Sequence, residues 1–187
     1  SDYLVRREAA SALAGMGLPP PAVGPVATGR TGPVYAQILS QTDRERVVEV
    51  VTTRGSFRIR LACPQAPLTC LSFLQLAGQG FFDGLTFHRV VPDFVVQTGD
   101  PRGDGWGGPG FALRDEINRQ RFGRGAVGMA LSGPDTGGSQ FFIALSPQPH
   151  LDGGYTVFGQ VAGDDSVLDQ IRQEDELVTI REVETGE

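Results

Sequence analysis

The side chains that usually carry covalent and metal chemistry are scarce in this chain. Two cysteines, Cys63 and Cys70, and two histidines, His88 and His150, are all it has in 187 residues. Two thiols with six residues between them are too few for a disulfide framework and are spaced unlike a zinc knuckle. They read either as buried thiols or as one local bridge. A catalytic metal centre would need carboxylates at ligand spacing, and no segment offers them, so no metal is expected. A Cys/His hydrolase is poorly supported, because Cys63 precedes Pro64 and nothing nearby would orient a base. No apolar run is long enough for a membrane span. Cations are in deficit, 16 Lys plus Arg against 22 Asp plus Glu, for a net charge of −6. That balance argues against nucleic acid as a partner, since phosphate binding is driven by cationic neutralisation. The cluster Arg119, Arg121, Arg124 reads as a solvated loop.

With 40% apolar and 20% charged residues the composition is that of a globular protein, and the length suits one ordinary domain with about thirty or forty residues to spare. Ser1 in place of Met reads as a processed or excised chain, which leaves the compartment open. Residues 4–16 (LVRREAASALAGM) put Val5, Ala9, Leu13 and Met16 on one helical face, stopped by Gly17. The following LPPPAVGPVATGRTGP cannot be helical and reads as a semi-rigid linker. A short helix is expected from Tyr35 to Gln41. From Val47 the period changes to that of strands: VVEVVTT, a tight turn at Arg54-Gly55, then SFRIRL with Phe57, Ile59 and Leu61 on one face. Pro67 opens a helix whose stripe is Leu68, Leu71, Leu74 and Ala77, with Gly78 as its stop.

Short apolar runs separated by glycine come next: LTFHRVV, FVVQTG, AVGMAL, SQFFIAL and TVFGQV. They follow one another too closely for βαβ units. A last helix is expected from Ser166 to Gln173 and a last strand over 177–183. Many short strands with few helices predict a mainly β fold, a closed antiparallel barrel that leaves no free edge. Gly103, Gly105 and Gly108 match G-x-G-x-x-G. Their segment, GDPRGDGWGGPG, follows no βα turn and opens no helix, so it reads as a surface loop and no cofactor is implied.

Three segments set polar groups among large apolar ones: Phe87-His88-Arg89, Phe94-Val95-Val96-Gln97 and Gly138-Ser139-Gln140-Phe141-Phe142. Residues two apart in a strand share a face, which aligns Arg89 with Phe87 and Val91, and Gln97 with Val95. A guanidinium is thereby held beside apolar surface. On composition alone two readings stay open: a binding site, or an arginine that snorkels off the barrel with glutamines that satisfy backbone groups.

FHRVVPDFVVQTGD, MALSGPDTGGSQFFI and LDGGYTVFGQV resemble, in order and spacing, the three signature blocks of cyclophilins. The resemblance covers residues 46–187, and GGPGFALRDE is similar to the loop of bacterial members. It implies a peptidyl-prolyl cis/trans isomerase acting on proline-containing peptides and unfolded polypeptides, without a cofactor, in the cytoplasm or periplasm of a bacterium. The implied fold is a closed eight-stranded barrel capped by two α-helices, here preceded by a helical, Pro/Gly-rich extension over 1–45. Position by position, the resemblance makes Arg89 the catalytic arginine and Gln97 the glutamine that positions it. Phe94, Val95, Phe142 and Leu151 match the proline pocket. Ala130, Leu131 and Gln140 match the groove for the preceding residues, and His150 and Tyr155 match its rim.

Four positions depart from the family's best-known pattern. Val95 stands where methionine is common, Leu131 replaces an asparagine, and Tyr155 replaces a histidine. His150 replaces the tryptophan linked to cyclosporin binding, which implies weak affinity for that drug. The alternative function left open is a non-catalytic module that holds proline-containing segments for a larger repeat protein. DYLVRREAASALAGMG resembles the last helix of a HEAT-type repeat, and fits equally an isolated amphipathic helix docked on the barrel.

Overall fold

The computed structural model describes residues 3–20, 36, 38–40, 42 and 45–183. Helix α1 (Tyr3–Gly15) is closed by Gly17, whose φ of 74° lets the Leu18 N–H reach back to the Leu13 carbonyl at 2.9 Å. That is the glycine stop read from the pattern. Of the expected apolar stripe, Ala9 and Met16 are exposed and Leu13 is half-buried, so the stripe stays open over its described length. Most of the linker lies outside the described residues. Of the short helix expected over 35–41, Ala36, Ile38, Leu39 and Ser40 are helical, and Tyr35, Gln37 and Gln41 lie outside the described residues.

The barrel begins with a hairpin, β1 (Arg46–Thr52) and β2 (Gly55–Leu61), in register from Arg46↔Leu61 to Thr52↔Gly55. Its two loop residues are therefore Thr53 and Arg54. Phe57, Ile59 and Leu61 face inward and Arg58 and Arg60 outward, as the alternation requires. Helix α2 (Pro67–Gly78) follows and lays Cys70, Phe73, Leu76 and Ala77 into the core. No side chain of its own caps its first turn. Instead the Glu116 carboxylate accepts the N–H of Leu68 and of Thr69 at 3.0 and 2.8 Å, a negative charge at the positive helix end.

The remaining strands are β3 (Leu85–Thr86), β4 (Arg89–Val91), β5 (Val95–Thr98), β6 (Ala126–Met129), β7 (Phe141–Ala144), β8 (Val157–Ala162) and β9 (Glu176–Val183). All pairings are antiparallel, in the order β3-β9-β1-β2-β8-β6-β7-β5-β4. Among the described residues the sheet has nine strands rather than eight because LTFHRVV, expected as one strand, is broken at Phe87 and His88. Its halves lie at opposite ends of the strand order. Only two residues join them, so the sheet must curl until its edges meet, and the Thr98 hydroxyl donates across the seam to the Thr86 carbonyl at 2.8 Å.

The second cap is also smaller than expected. Only Ser166–Asp169 is helical, as a single 3₁₀ turn. Arg124 draws the Asp165 and Asp169 carboxylates to itself and also takes the Asp165 carbonyl. One turn already buries Leu168 and Ile171, and a longer helix would gain little more.

Candidate active site

One sector of the barrel is apolar on both faces. Inward, Val90, Val96, Val127, Met129, Phe141 and Ile143 join the main core. The residues alternating with them, Val95, Ala126 and Phe142, point outward and pack with Phe122, Leu151 and Val157 in a second buried cluster. The register sets Arg89 opposite Gln97, Gln97 opposite Phe142, and Phe142 opposite Gly128. Cross-strand partners share a face. A cation, an amide and an aromatic ring therefore stand side by side on the outside of the barrel, although 53 positions separate Arg89 from Phe142.

Arg89 is exposed and, among the described residues, pairs with no carboxylate. Its Cζ lies 5.4 Å from the centroid of the Phe94 ring, within cation–π range, and its Nη1 donates to Gln97 Oε1 at a long 3.4 Å. Gln97 Nε2 donates to Gln140 Oε1 at 3.0 Å. Gln140 Nε2 in turn donates to the Gly105 and Gly107 carbonyls, at 3.0 and 2.9 Å. The three side chains form one polar line along an apolar floor. Both amides are anchored, whereas the guanidinium is loosely held and keeps donors to spare.

The walls are set by a tight turn and a 3₁₀ turn. Phe94 closes the three-residue turn between β4 and β5, where Asp93 adopts φ 57°, and the Phe94 carbonyl accepts the Leu145 N–H at 2.8 Å. His150 stacks on Phe94, with centroids 5.7 Å apart and planes at 21°, and neighbouring Leu151 is buried. Both belong to the 3₁₀ turn Pro149–Leu151. Tyr155 stands edge-on to Phe142 at 5.7 Å. Ala130 packs with the outer cluster and donates its N–H to the Gln140 carbonyl at 3.0 Å. Leu131 instead packs against the inner core. The structure thus brings Arg89, Gln97, Phe94, Val95, Ala130, Gln140, Phe142, His150, Leu151 and Tyr155 to one outer face, while the Leu131 side chain contributes to the interior.

Sequence reasoning missed Phe122. It stacks on Phe142 with centroids 5.4 Å apart and is held from both sides, its N–H on Asp152 Oδ1 at 2.8 Å and its carbonyl under the Gln148 N–H at 2.7 Å. Gln148 and Asp152 flank the turn that carries His150 and Leu151, so floor and wall are tied together. The Phe122 N–H, with Arg121 behind it, lowers the Asp152 pKa. A lone phenylalanine in RQRFGRG gives no periodic signal. Gly128 was missed too: a Cβ there would lie 2.5 Å from Phe142 and 2.6 Å from Phe122, so only glycine lets the two rings meet over this strand. Arg124, read as part of a solvated loop, is instead clasped between Asp165 and Asp169.

Two titratable groups support the site from beneath. Both ring nitrogens of His88 are buried, with the Gln140 amide nearby, and burial lowers its pKa despite the nearby charges of Asp100 and Glu174. Asp100 is 1% exposed. Burial alone would raise its pKa, but the N–H groups of Arg102, Gly105 and Gly107 together outweigh it and the net shift is downward. Cys63 and Cys70 are free and buried, and the Cys70 thiol donates to the Phe158 carbonyl at 3.4 Å.

The curled antiparallel sheet thus carries on its outer wall an apolar cluster with a loosely held guanidinium beside it and a line of amides leading away. Residues 47–185 match the family described as cyclophilin type peptidyl-prolyl cis-trans isomerase/CLD, and the chain belongs to that family. It is 46% identical over 132 residues to a peptidyl-prolyl cis-trans isomerase of Synechococcus elongatus, an alignment covering 70% of this chain and 91% of the relative. Against the Helicobacter pylori peptidyl-prolyl cis-trans isomerase the identity is 43% over 135 residues, covering 70% and 83%. A crystal structure of a Cryptosporidium parvum cyclophilin type isomerase superposes with a TM-score of 0.73 at 31% identity, covering 76% of this chain and 100% of that one. A second structure of that enzyme, in the presence of the dipeptide Ala-Pro, gives 0.70 at 31% identity over 74% and 99%.

Proposed function

We propose that Arg89 is the catalytic cation of this isomerase and Gln97 the residue that positions it. The proline ring rests on Phe142 between Phe94, Val95 and Leu151, with Phe122 behind. The residues before the proline run past Ala130 and Gln140, with His150 and Tyr155 at the rim. The row Arg89–Gln97–Phe142 carries this reading, because it sets a charge beside an outward apolar cluster against which a pyrrolidine would be desolvated. Rotation about an X-Pro bond is slow because amide conjugation imposes a barrier of about 18–20 kcal/mol. No bond needs to break. Gripping the ring while the acyl side twists, with a donor aimed at the nitrogen whose lone pair localises, favours the twisted state over either planar one. A guanidinium suits this because its fork can donate to the nitrogen and to a carbonyl together, which an ammonium cannot match.

The same reading divides the chain into an extension over 1–45 and an isomerase domain over 46–187, supported by the family match beginning at residue 47. Unfolded polypeptides are its substrates, in keeping with a groove open on the barrel's outer face. Cyclosporin binds weakly, since an exposed imidazole at 150 stacks on Phe94 where a larger ring would extend the wall. Nucleic acid is not a partner, given the net charge of −6.

Exchange spectroscopy on an Ala-Pro peptide tests the assignment. Arg89→Ala lowers kcat/KM by about a hundredfold or more, the usual scale for losing a preorganised donor. Arg89→Lys recovers only part. Equal acceleration by wild type and Arg89→Ala overturns the assignment. Saturable binding by the wild type without exchange between cis and trans signals instead identifies a non-catalytic proline-peptide module.

A further inference from the structure

The loop gripped by Gln140 carries the chain's single tryptophan. Trp106 is 77% exposed, the most exposed large apolar side chain among the described residues. Exposure alone means little, since isolated surface hydrophobics are normal. What distinguishes Trp106 is that its backbone is fixed while its ring is left bare. Gln140 holds the carbonyls of both its neighbours, Gly105 and Gly107. Its own N–H donates to Asp104 Oδ1 at 2.9 Å. Beneath it, the buried Asp100 carboxylate takes the Gly105 N–H at 2.5 Å. A Cβ at residue 107 would fall 1.9 Å from Asp100 Oδ1, so this close wrap around the carboxylate requires glycine. Glycine on either side also leaves the indole without a neighbouring side chain for cover.

The loop belongs to the same hydrogen-bonded line as the guanidinium. From His150 and Phe94 the line runs through Arg89, Gln97 and Gln140 to residues 105–107, so Trp106 stands at the end remote from Phe94. An extended peptide advances about 3.3 Å per residue. A chain whose proline lies on Phe142 and whose preceding residue passes Gln140 arrives at this loop one residue later.

We propose that Trp106 is a specificity-determining residue, whose indole receives the side chain two residues before the proline and favours aromatic groups there. This rests on the reading of the groove given above. The ring is presented on a pre-ordered loop, so binding does not have to immobilise that backbone. An aromatic pair contributes about 0.5–1.5 kcal/mol beyond its buried area, which corresponds to roughly a two- to tenfold preference.

Two peptides test it, acetyl-Phe-Ala-Pro-Gly-amide and acetyl-Gly-Ala-Pro-Gly-amide, with isomerisation followed by NMR exchange and tryptophan emission recorded during titration. Wild type favours the Phe peptide about fivefold in kcat/KM, and its emission, which comes from Trp106 alone, moves to the blue as that peptide saturates. Trp106→Ala brings the ratio to about one, and Trp106→Phe restores most of it. A ratio kept by Trp106→Ala, a wild-type ratio near one, or emission unmoved at saturation overturns this inference while leaving the isomerase reading intact. Failure of the wild type to accelerate either peptide overturns both.

Discussion

Adjacent residues of β7 show how one strand serves two purposes. Phe141 points inward, where its ring meets Phe73 and Phe82 edge-on at 5.3 and 5.8 Å within a sealed core. Phe142 points outward, stacked on Phe122 and flanked by Tyr155, with an arginine and a glutamine in its row. Both side chains are nearly buried, at 1% and 5% exposed, so burial does not separate them. Their neighbours do. The inner ring is surrounded by apolar groups on all sides, while the outer one lies among polar groups that can still reach a ligand. A barrel normally turns polar side chains outward. Here the outward positions of one sector are apolar, and that departure marks the site better than any single residue does.

The contrast can be broken at each level. Phe141→Ala should cost about 3–5 kcal/mol of stability, the usual loss for a core aromatic, measured by denaturant unfolding. Catalysis by the fraction still folded should stay near that of the wild type. Phe142→Ala should reverse the pattern, with less stability lost because the outer cluster is the smaller one, and kcat/KM falling at least tenfold because the proline ring loses its floor. Equal effects of the two substitutions would remove the distinction between the faces. Gly128→Ala should cost less stability than Phe141→Ala. Its Cβ must displace Phe122 or Phe142, at about 1–3 kcal/mol for overpacking, and the misplaced rings should weaken binding of Ala-Pro peptides.

The smallest effect should appear with pH. His88 has a lowered pKa in the folded state, chiefly through burial. Below about pH 6.5 the unfolded chain takes up a proton that the folded chain resists, so stability falls as pH drops through that value towards the folded pKa. Asp100 contributes in a separate window. Its lowered pKa gives stability that is present above about pH 4 and lost as pH falls through the folded value. His88→Asn should flatten the first window and leave the second, as read from melting temperatures between pH 7 and pH 3. An unchanged slope between pH 6.5 and 5 would show that the imidazole is not held neutral.

The hairpin at 46–61 was legible because alternation of Phe57, Ile59 and Leu61 with arginines has one structural meaning. The helix from Pro67 was legible in its extent but not in its face: Thr69, Cys70, Phe73, Leu76 and Ala77 are buried in place of the expected stripe of Leu68, Leu71, Leu74 and Ala77, and the left-handed glycine after it is Gly80. LTFHRVV alternates as convincingly, yet it breaks, because one stretch of chain must serve both edges of a closing sheet and turns between them. The 166–173 segment shortened for a reason 41 residues away, the grip of Arg124 on Asp165. Phe122 escaped notice since its partners lie in two other segments.

Local pattern established where most of the strands and turns lie, and that a cation and two amides sit among phenylalanines, since period and turn chemistry act over a few neighbours. Register alone put those groups in one row. The pairing of β4 with β5 and of β5 with β7 carries Arg89 and Phe142 to the same wall, and the close approach over Gly128 and the clamp of Gln140 on the Trp106 loop arise only once distant segments pack. Interactions across 30 to 50 residues of chain depend on how the barrel closes, and no short window of sequence contains that information.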